Sequence, residues 1–256
     1  DVKYFVDKIR EDSIKDIYDF TSYGHEVLNK LEKSQKTTIA LTTGLALGGG
    51  LELALSCDYR IGTRRSQFRF PETSIGIFPG LGGTQRTPRI CGIEASRYAV
   101  LAGNFLDSKV ASALGIITHL IDSATINETV VTLSKVGKPQ NKYPCQPKNI
   151  EHPISKFAIE FYKEENMEEI MSGKIPKNFK GDEKLASRQI KSLGFTAPIA
   201  LGIANELLNQ AIETGEDLDA GLNKELSNLN TIFESEDALE GLSALIEGRR
   251  PSYTNS

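Results

Sequence analysis

Apolar residues recur three and four positions apart between residues 11 and 33, where Ile14, Ile17, Tyr18, Val27, Leu28 and Leu31 share a face; the spacing predicts a helix with a break at Gly24. The pattern then shortens. "TTIALTTG" is β-branched and apolar and closes on Gly44, as a short buried strand does. After three consecutive glycines, Leu51, Ala54 and Leu55 return to helical spacing, and Asp58 leads into the strand candidate "YRIGT". In "SQFRFPE", Phe68 and Phe70 alternate with polar neighbours, which predicts a strand ended by Pro71. "GIFPGLGGTQRTPRICG" reads as turn-rich. "IEASRYAVLAG" and "LDSKVASALG" read as helices stopped by Gly103 and Gly115, and "IITHLID" as a strand.

From Ser123 the character changes. Residues 133 to 155 hold Pro139, Pro144, Pro147 and Pro153 among Lys, Gln and Asn, which reads as a linker or surface excursion. Beyond it, "ISKFAIEFYKEENMEEIMSG", "APIALGIANELLNQAIETG", "DLDAGLNKELSNLNTIF" and "SEDALEGLSALIEG" carry apolar residues at helical steps. The last has Ser235 as N-cap, with Glu236 and Asp237 in the first turn, where the helix dipole favours negative charge. The chain is α/β in its first half and all-helical in its second, without an internal repeat.

A length of 256 residues allows a substantial core, and 39 % hydrophobic with 25 % charged residues describes an ordinary globular protein. A net charge of −4 with both signs interspersed offers no basic face for nucleic acid and no polybasic run for a membrane. No apolar run reaches the roughly 18 residues of a spanning helix. Cys57, Cys91 and Cys145 form an odd set without C-x-x-C spacing, so free thiols in a reducing compartment, by default the cytoplasm, are expected. Because the sequence opens on Asp1 rather than Met, the natural protein is expected to continue upstream.

The candidate chemistry centres on "GLALGGGLELALSCD". Successive glycines at a helix start leave backbone N–H groups unpaired and unobstructed, which suits an oxyanion hole and equally a tight strand-to-helix turn. The G-x-G-x-x-G spacing fails at Leu53, and no G-K-[ST] makes a phosphate loop. Glu52, among Leu51, Leu53, Ala54 and Leu55, must be solvated, paired or used. Glu72 follows a strand-ending proline twenty residues later, far enough for the chain to return to the same place. Two carboxylates facing one substrate can divide acid and base roles, while a turn or cap role is the plainer reading of Glu72. Other candidates are weaker. His25-Glu26 starts like H-E-x-x-H, but Asn29 replaces the second histidine; His119 and His152 read as structural, and Arg249 and Arg250 as a solvated chain end.

Together, "GLALGGGLELALSCDYRIGT" and "FRFPETSIGIFPGLGGTQRTPRICG" closely resemble the signature of the enoyl-CoA hydratase/isomerase (crotonase) family. The likeness continues through "AVLAGNFLDSKVASALGIITHLID" and resumes from "APIALGIANELL" to "IEGRRPSY". It implies a crotonase-type (ClpP/crotonase) spiral of β-β-α turns over residues 1–122, and a helical region over 123–256 with an insertion at about 123–191 that is longer than in simple hydratases. It further implies that Glu52 and Glu72 act on the substrate, that the Gly49 N–H is one oxyanion donor and that the Gly80 backbone helps place a water. The second donor of the family lies in an A-G-A-D segment. "DVKYF" resembles the end of that segment, so the spiral would be truncated at its start, just after the donor.

The implied activity is syn addition of water to a trans-2-enoyl-CoA, giving a 3-hydroxyacyl-CoA in fatty acid β-oxidation, without metal or redox cofactor. The related 3-hydroxyacyl-CoA hydrolases share "FPETSIGIFPG"-like sequence, but lack a glutamate at the position of Glu52 and carry an aspartate at that of Gly80; isomerases of the family manage without the first glutamate. Both comparisons favour a hydratase. Thioester hydrolysis, isomerisation and non-catalytic acyl-CoA binding remain the alternatives. The implied partners are the acyl-CoA thioester and either trimer neighbours or a fused 3-hydroxyacyl-CoA dehydrogenase.

Overall fold

The computed structural model describes residues 2–256; Asp1, at the head of "DVKYF", lies outside the described residues. The chain opens with helices α1 (Val2–Arg10) and α2 (Ile14–Glu32). No break occurs at Gly24. A Cβ there would lie 2.6 Å from Leu81 Cδ2, so the missing side chain makes room for a neighbouring loop instead of bending the helix.

A spiral follows, in which successive turns of the chain add strands to two small sheets. Its elements are β1 (Ile39–Thr42), β2 (Leu45–Leu47), α3 (Gly49–Ser56), β3 (Tyr59–Thr63), β4 (Gln67–Arg69), a 3₁₀ turn at Glu72–Ile75, α4 (Gly83–Cys91), α5 (Ile93–Val100), β5 (Leu106–Asp107), α6 (Ser108–Leu114) and β6 (His119–Ile121). One sheet has the order β1-β3-β6, all parallel; the other has β2-β4-β5, parallel and then antiparallel. Parallel neighbours need a crossover, and α3 supplies it for both the β1–β3 and β2–β4 pairs.

The segment read as turn-rich is turn only as far as Gly82. Gly83–Cys91 forms α4, and all nine of its residues are buried. It lacks the apolar stripe by which helices are recognised because it is surrounded by polar partners. Gln85 donates to Leu207 O, Arg86 pairs with Glu32, and Arg89 donates to Gly215 O.

Beyond β6 every described element is helical: α7 (Ile126–Val136), α8 (Pro153–Phe161), α9 (Met167–Met171), α10 (Glu183–Leu193), α11 (Pro198–Glu213), α12 (Leu218–Ser227), α13 (Leu229–Phe233) and α14 (Glu236–Glu247), with two short 3₁₀ turns. The proline-rich stretch read as a linker is thus helical at both ends. Leu133 of α7 packs under the first sheet with Tyr59 and Ile61, and Pro153 starts α8, where a proline's missing N–H costs no helical bond. Between them the chain is strapped down: Cys145 N–H donates to Arg89 O, and Lys142 pairs with Glu32. Ser235 caps α14 as its position predicts, accepting from the Ala238 N–H at 3.1 Å. One hydrophobic cluster runs from Val6 to Leu242, so the spiral and the later helices share a core. Within it α11 presents Ala200, Leu201, Ala204, Leu207, Leu208 and Ala211 at three- and four-residue steps.

Candidate active site

Register brings the two glutamate-bearing turns together. β2 and β4 run parallel with Leu47 opposite Arg69, so the chain leaving β2 as Gly48–Gly49–Gly50 and the chain leaving β4 as Phe70–Pro71–Glu72 emerge side by side. The Gly48 N–H donates to Arg69 O at 3.0 Å and locks that placement. Gly48 has φ +48°, and a Cβ on it would stand 2.6 Å from Glu72 Oε1. Only glycine permits both the left-handed backbone and the carboxylate's approach.

Gly49 and Gly50 then begin α3, and both are exposed. Their N–H groups have no intrahelical acceptor, because the first turn of a helix never supplies one. The next two amides, of Leu51 and Glu52, donate to Gly48 O.

Glu52 does not lie on the wet side of this helix; Leu53 does. Glu52 is 2 % exposed, between buried Leu51, Ala54 and Leu55. Its Oε1 accepts from the Leu81 and Gly83 N–H groups, each at 2.7 Å. Burial, and next the charge of Glu225, push its pKa up to about 7, against the two amides that favour the anion. Glu72 is buried as well, and burial together with the Glu52 charge holds it well above the ordinary carboxylate range. Its Oε2 has no hydrogen-bond partner. Gly80 sits at the head of the loop whose amides hold Glu52, and its carbonyl accepts from His25 Nε2 at 2.7 Å. Gly49, Glu52, Glu72 and Gly80 are therefore brought to one place by three separate turns.

Sequence reasoning missed the groups behind this place. Glu225 of α12 is fully buried; its Oε2 accepts from the Gly82 N–H at 2.8 Å and its Oε1 from the Thr84 hydroxyl at 2.5 Å. His25, set aside as half a zinc motif, bonds both Gly80 O and Glu225. A signal for Glu225 did exist, since it falls on the apolar stripe of Leu222, Leu226 and Leu229, as Glu52 falls among its leucines. The other histidines have local roles. His119 Nδ1 lies 2.9 Å from the Thr118 hydroxyl and its ring packs edge-on against Tyr59; His152 Nδ1 accepts from the Ile154 N–H at the start of α8. Arg249 pairs with Glu240 and Glu247 at the surface. Among the described residues no group of three or more His, Cys, Asp or Glu side chains could hold a metal ion, and no helix is long and apolar enough to cross a membrane.

The sequence model of the family described as enoyl-CoA hydratase/isomerase matches residues 1–256. The chain belongs to this family. Among curated members of the enoyl-CoA hydratase/isomerase family and its relatives, an enoyl-CoA isomerase/hydratase of Mycosarcoma maydis is 42 % identical over 117 residues, which are 45 % of this chain and 43 % of that protein. The peroxisomal bifunctional enzyme of Cavia porcellus is 34 % identical over 130 residues, 50 % of this chain and 17 % of that one. The mitochondrial methylglutaconyl-CoA hydratase of Homo sapiens is 40 % identical over 110 residues, covering 43 % and 32 % respectively. The match spans less than half the length of each of these relatives. The fold is shared with solved structures. An enoyl-CoA hydratase from Rhodobacter sphaeroides superimposes with TM-score 0.79 at 20 % identity, over 100 % of this chain and 74 % of that one. A carnitinyl-CoA dehydratase from Mycobacterium thermoresistibile does so with TM-score 0.78 at 18 % identity, over 99 % and 73 %.

Proposed function

We propose that this chain carries the hydratase chemistry of its family: syn addition of water across the 2,3-double bond of a trans-2-enoyl-CoA to give the 3-hydroxyacyl-CoA. The observation that carries this reading is the pair of buried carboxyl groups, Glu52 and Glu72, both displaced towards the protonated form, beside exposed helix-start amides. Water attack at C3 moves charge onto the thioester oxygen. The Gly49 N–H, without an intrahelical acceptor at the exposed start of α3, stabilises that charge, and losing one such preorganised donor costs about 10²- to 10³-fold in rate. Glu72, held well above the ordinary carboxylate range by burial and the Glu52 charge, delivers its proton to C2. Glu52, whose anion is favoured by the Leu81 and Gly83 amides, takes the proton of the attacking water. The Gly80 carbonyl is occupied by His25, which leaves the Gly80 N–H as the group this residue offers the water. No step calls for a metal or redox cofactor.

Three further readings belong to the proposal. The Cavia porcellus relative is a peroxisomal bifunctional enzyme and a Shewanella loihica relative a fatty acid oxidation complex subunit alpha. These names support a place in fatty acid oxidation and fusion to a 3-hydroxyacyl-CoA dehydrogenase, the alternative to packing as a trimer. Residues 123–256 act as the second structural part, with the stretch to about 191 forming an added wall beside the spiral. Three free cysteines fit a reducing compartment, the cytoplasm in the first instance, although named relatives are peroxisomal and mitochondrial.

The test is the loss of enoyl-thioester absorbance from crotonyl-CoA by the full-length protein, with free thiol followed in parallel. Loss of the enoyl signal without thiol, abolished by Glu72→Gln, is the expected result. Thiol release from a 3-hydroxyacyl-CoA would identify a hydrolase. Tight acyl-CoA binding without turnover would identify a binding domain.

A further inference from the structure

Two buried residues beside the site, His25 and Glu225, take no chemical step in the reaction proposed above, yet they govern the loop that holds Glu52. His25 Nε2 faces two acceptors, Gly80 O at 2.7 Å and Glu225 Oε2 at 3.1 Å. A ring nitrogen between two acceptors must carry a hydrogen, which fixes the tautomer; Nδ1 is buried without a partner. Glu225 Oε2 also draws in the Gly82 N–H, and its Oε1 the Thr84 hydroxyl. Successive amides of one short loop therefore point to opposite sides: those of Leu81 and Gly83 to Glu52, that of Gly82 to Glu225. The carbonyl at the loop's head is held by the same imidazole.

We propose that His25 and Glu225 are a pair of positioning residues, which clamp the Gly80–Gly83 loop from behind so that the Leu81 and Gly83 amides stay aimed at Glu52 and the Gly80 backbone stays aimed at the attacking water. The clamp rests on geometry alone; its kinetic consequence rests on the hydratase reading. Without the Glu225 carboxylate the Gly82 amide has no acceptor, and its rotation would carry the two flanking amides with it. Without the imidazole the Gly80 carbonyl is freed.

The pair also sets the field at Glu52. The groups facing it are Glu72 from the 3₁₀ turn, His25 from α2 and Glu225 from α12; Arg86 of α4, within the field of Glu225, is engaged by Glu32. Glu225 favours a proton on Glu52 and His25 opposes it. Burial disfavours charge on His25, but the Glu225 carboxylate and the Gly80 carbonyl outweigh it and raise its pKa.

The test is a carbon-13 NMR titration of the Glu52 carboxyl in the full-length protein, assigned by its loss in Glu52→Gln. It is run on the wild type, Glu225→Gln, His25→Phe and His25→Gln, with kcat and KM for crotonyl-CoA measured on the same samples. The midpoint is expected to fall by about half a pH unit or more in Glu225→Gln and to rise in His25→Phe. In His25→Phe kcat is expected to fall roughly tenfold with KM little changed. His25→Gln, whose amide nitrogen reaches the position of Nε2, is expected to recover most of it. Coincident midpoints in all four proteins, or equal kcat losses in the two His25 variants, would overturn the proposal. Should Glu225→Gln not fold, the two His25 variants decide alone. Opposite midpoint shifts in a protein whose wild type leaves crotonyl-CoA untouched would uphold the clamp and overturn the hydratase reading.

Discussion

Two carboxylate sites in this one fold, Glu32 half-buried and the Glu52–Glu72 pair buried, have pKa values displaced in opposite directions. Glu32, at the end of α2, is ringed by cations and a phenol. Arg86 Nε stands 2.9 Å from one oxygen and Lys142 Nζ 2.7 Å from the other, which also accepts from the Tyr143 hydroxyl. Burial alone would raise its pKa, but Arg86 and Lys142 outweigh it and hold Glu32 below the ordinary range. Glu52 and Glu72 are buried at least as deeply, yet two neutral amides and a glycine turn face them, and the nearest charges include each other and Glu225. Burial therefore does not separate a structural carboxylate from one poised for proton transfer; the charge of its neighbours does.

The largest effect that would sharpen the contrast is on stability. Glu32→Gln leaves Arg86 buried without its counter-charge, and breaking such a pair costs about 3–5 kcal/mol, to be read from urea unfolding. Glu72→Gln, by contrast, replaces a group that already holds a proton. It should unfold near the wild-type midpoint while kcat drops about 10²-fold, roughly 2.7 kcal/mol in the barrier. If its stability collapsed while activity survived, Glu72 would belong with Glu32 as a structural carboxylate. Gly48→Ala comes next. It places a side chain on a left-handed backbone, at about 1–2 kcal/mol, and directs its methyl at Glu72 Oε1, so turnover should fall further than stability.

The gentlest comparison is the slope of stability with pH. Glu52 binds its proton more tightly folded than unfolded, so between its ordinary value of 4.5 and about 7 the folded state holds the extra proton and stability falls as pH rises. Glu32 has the opposite sign: its contribution is present above 4.5 and is lost as pH falls through its lowered native value. Glu52→Gln should flatten the first slope and Glu32→Gln the second. A common slope in both variants would remove the distinction.

The spiral was legible in part: "YRIGT" and "SQFRFPE" bury apolar residues and announce themselves by pattern, whereas "TTIALTTG", expected as a buried strand, forms β1 but is only half-buried, with Leu41 exposed. Glu52 and Glu72 were visible for the inverse reason, a carboxylate set among leucines and another behind a strand-ending proline. What escaped was whatever folds by polar partners. α4 looks like a turn because Gln85, Arg86 and Arg89 satisfy their donors with backbone carbonyls and Glu32, distant in sequence and invisible to periodicity. Gly24 looks like a helix break because nothing near it in sequence reveals that Leu81 needs its space. His25 and Glu225 are 200 residues apart, and only the fold shows that they meet.

The central claim is that burial without a cation as close as Arg86 and Lys142 are to Glu32 displaces the Glu52 and Glu72 carboxyls towards the protonated form, and that Glu72 gives a proton to the substrate while Glu52 takes one from the attacking water. Its most direct test is the pH dependence of kcat/KM for crotonyl-CoA hydration by the full-length protein. The expected profile is bell-shaped, with one limb, centred at about 7, from the loss of the Glu52 base and the other from the loss of the Glu72 proton, which burial and the Glu52 charge displace upward. Full activity unchanged from about pH 5 to about pH 9 would contradict it.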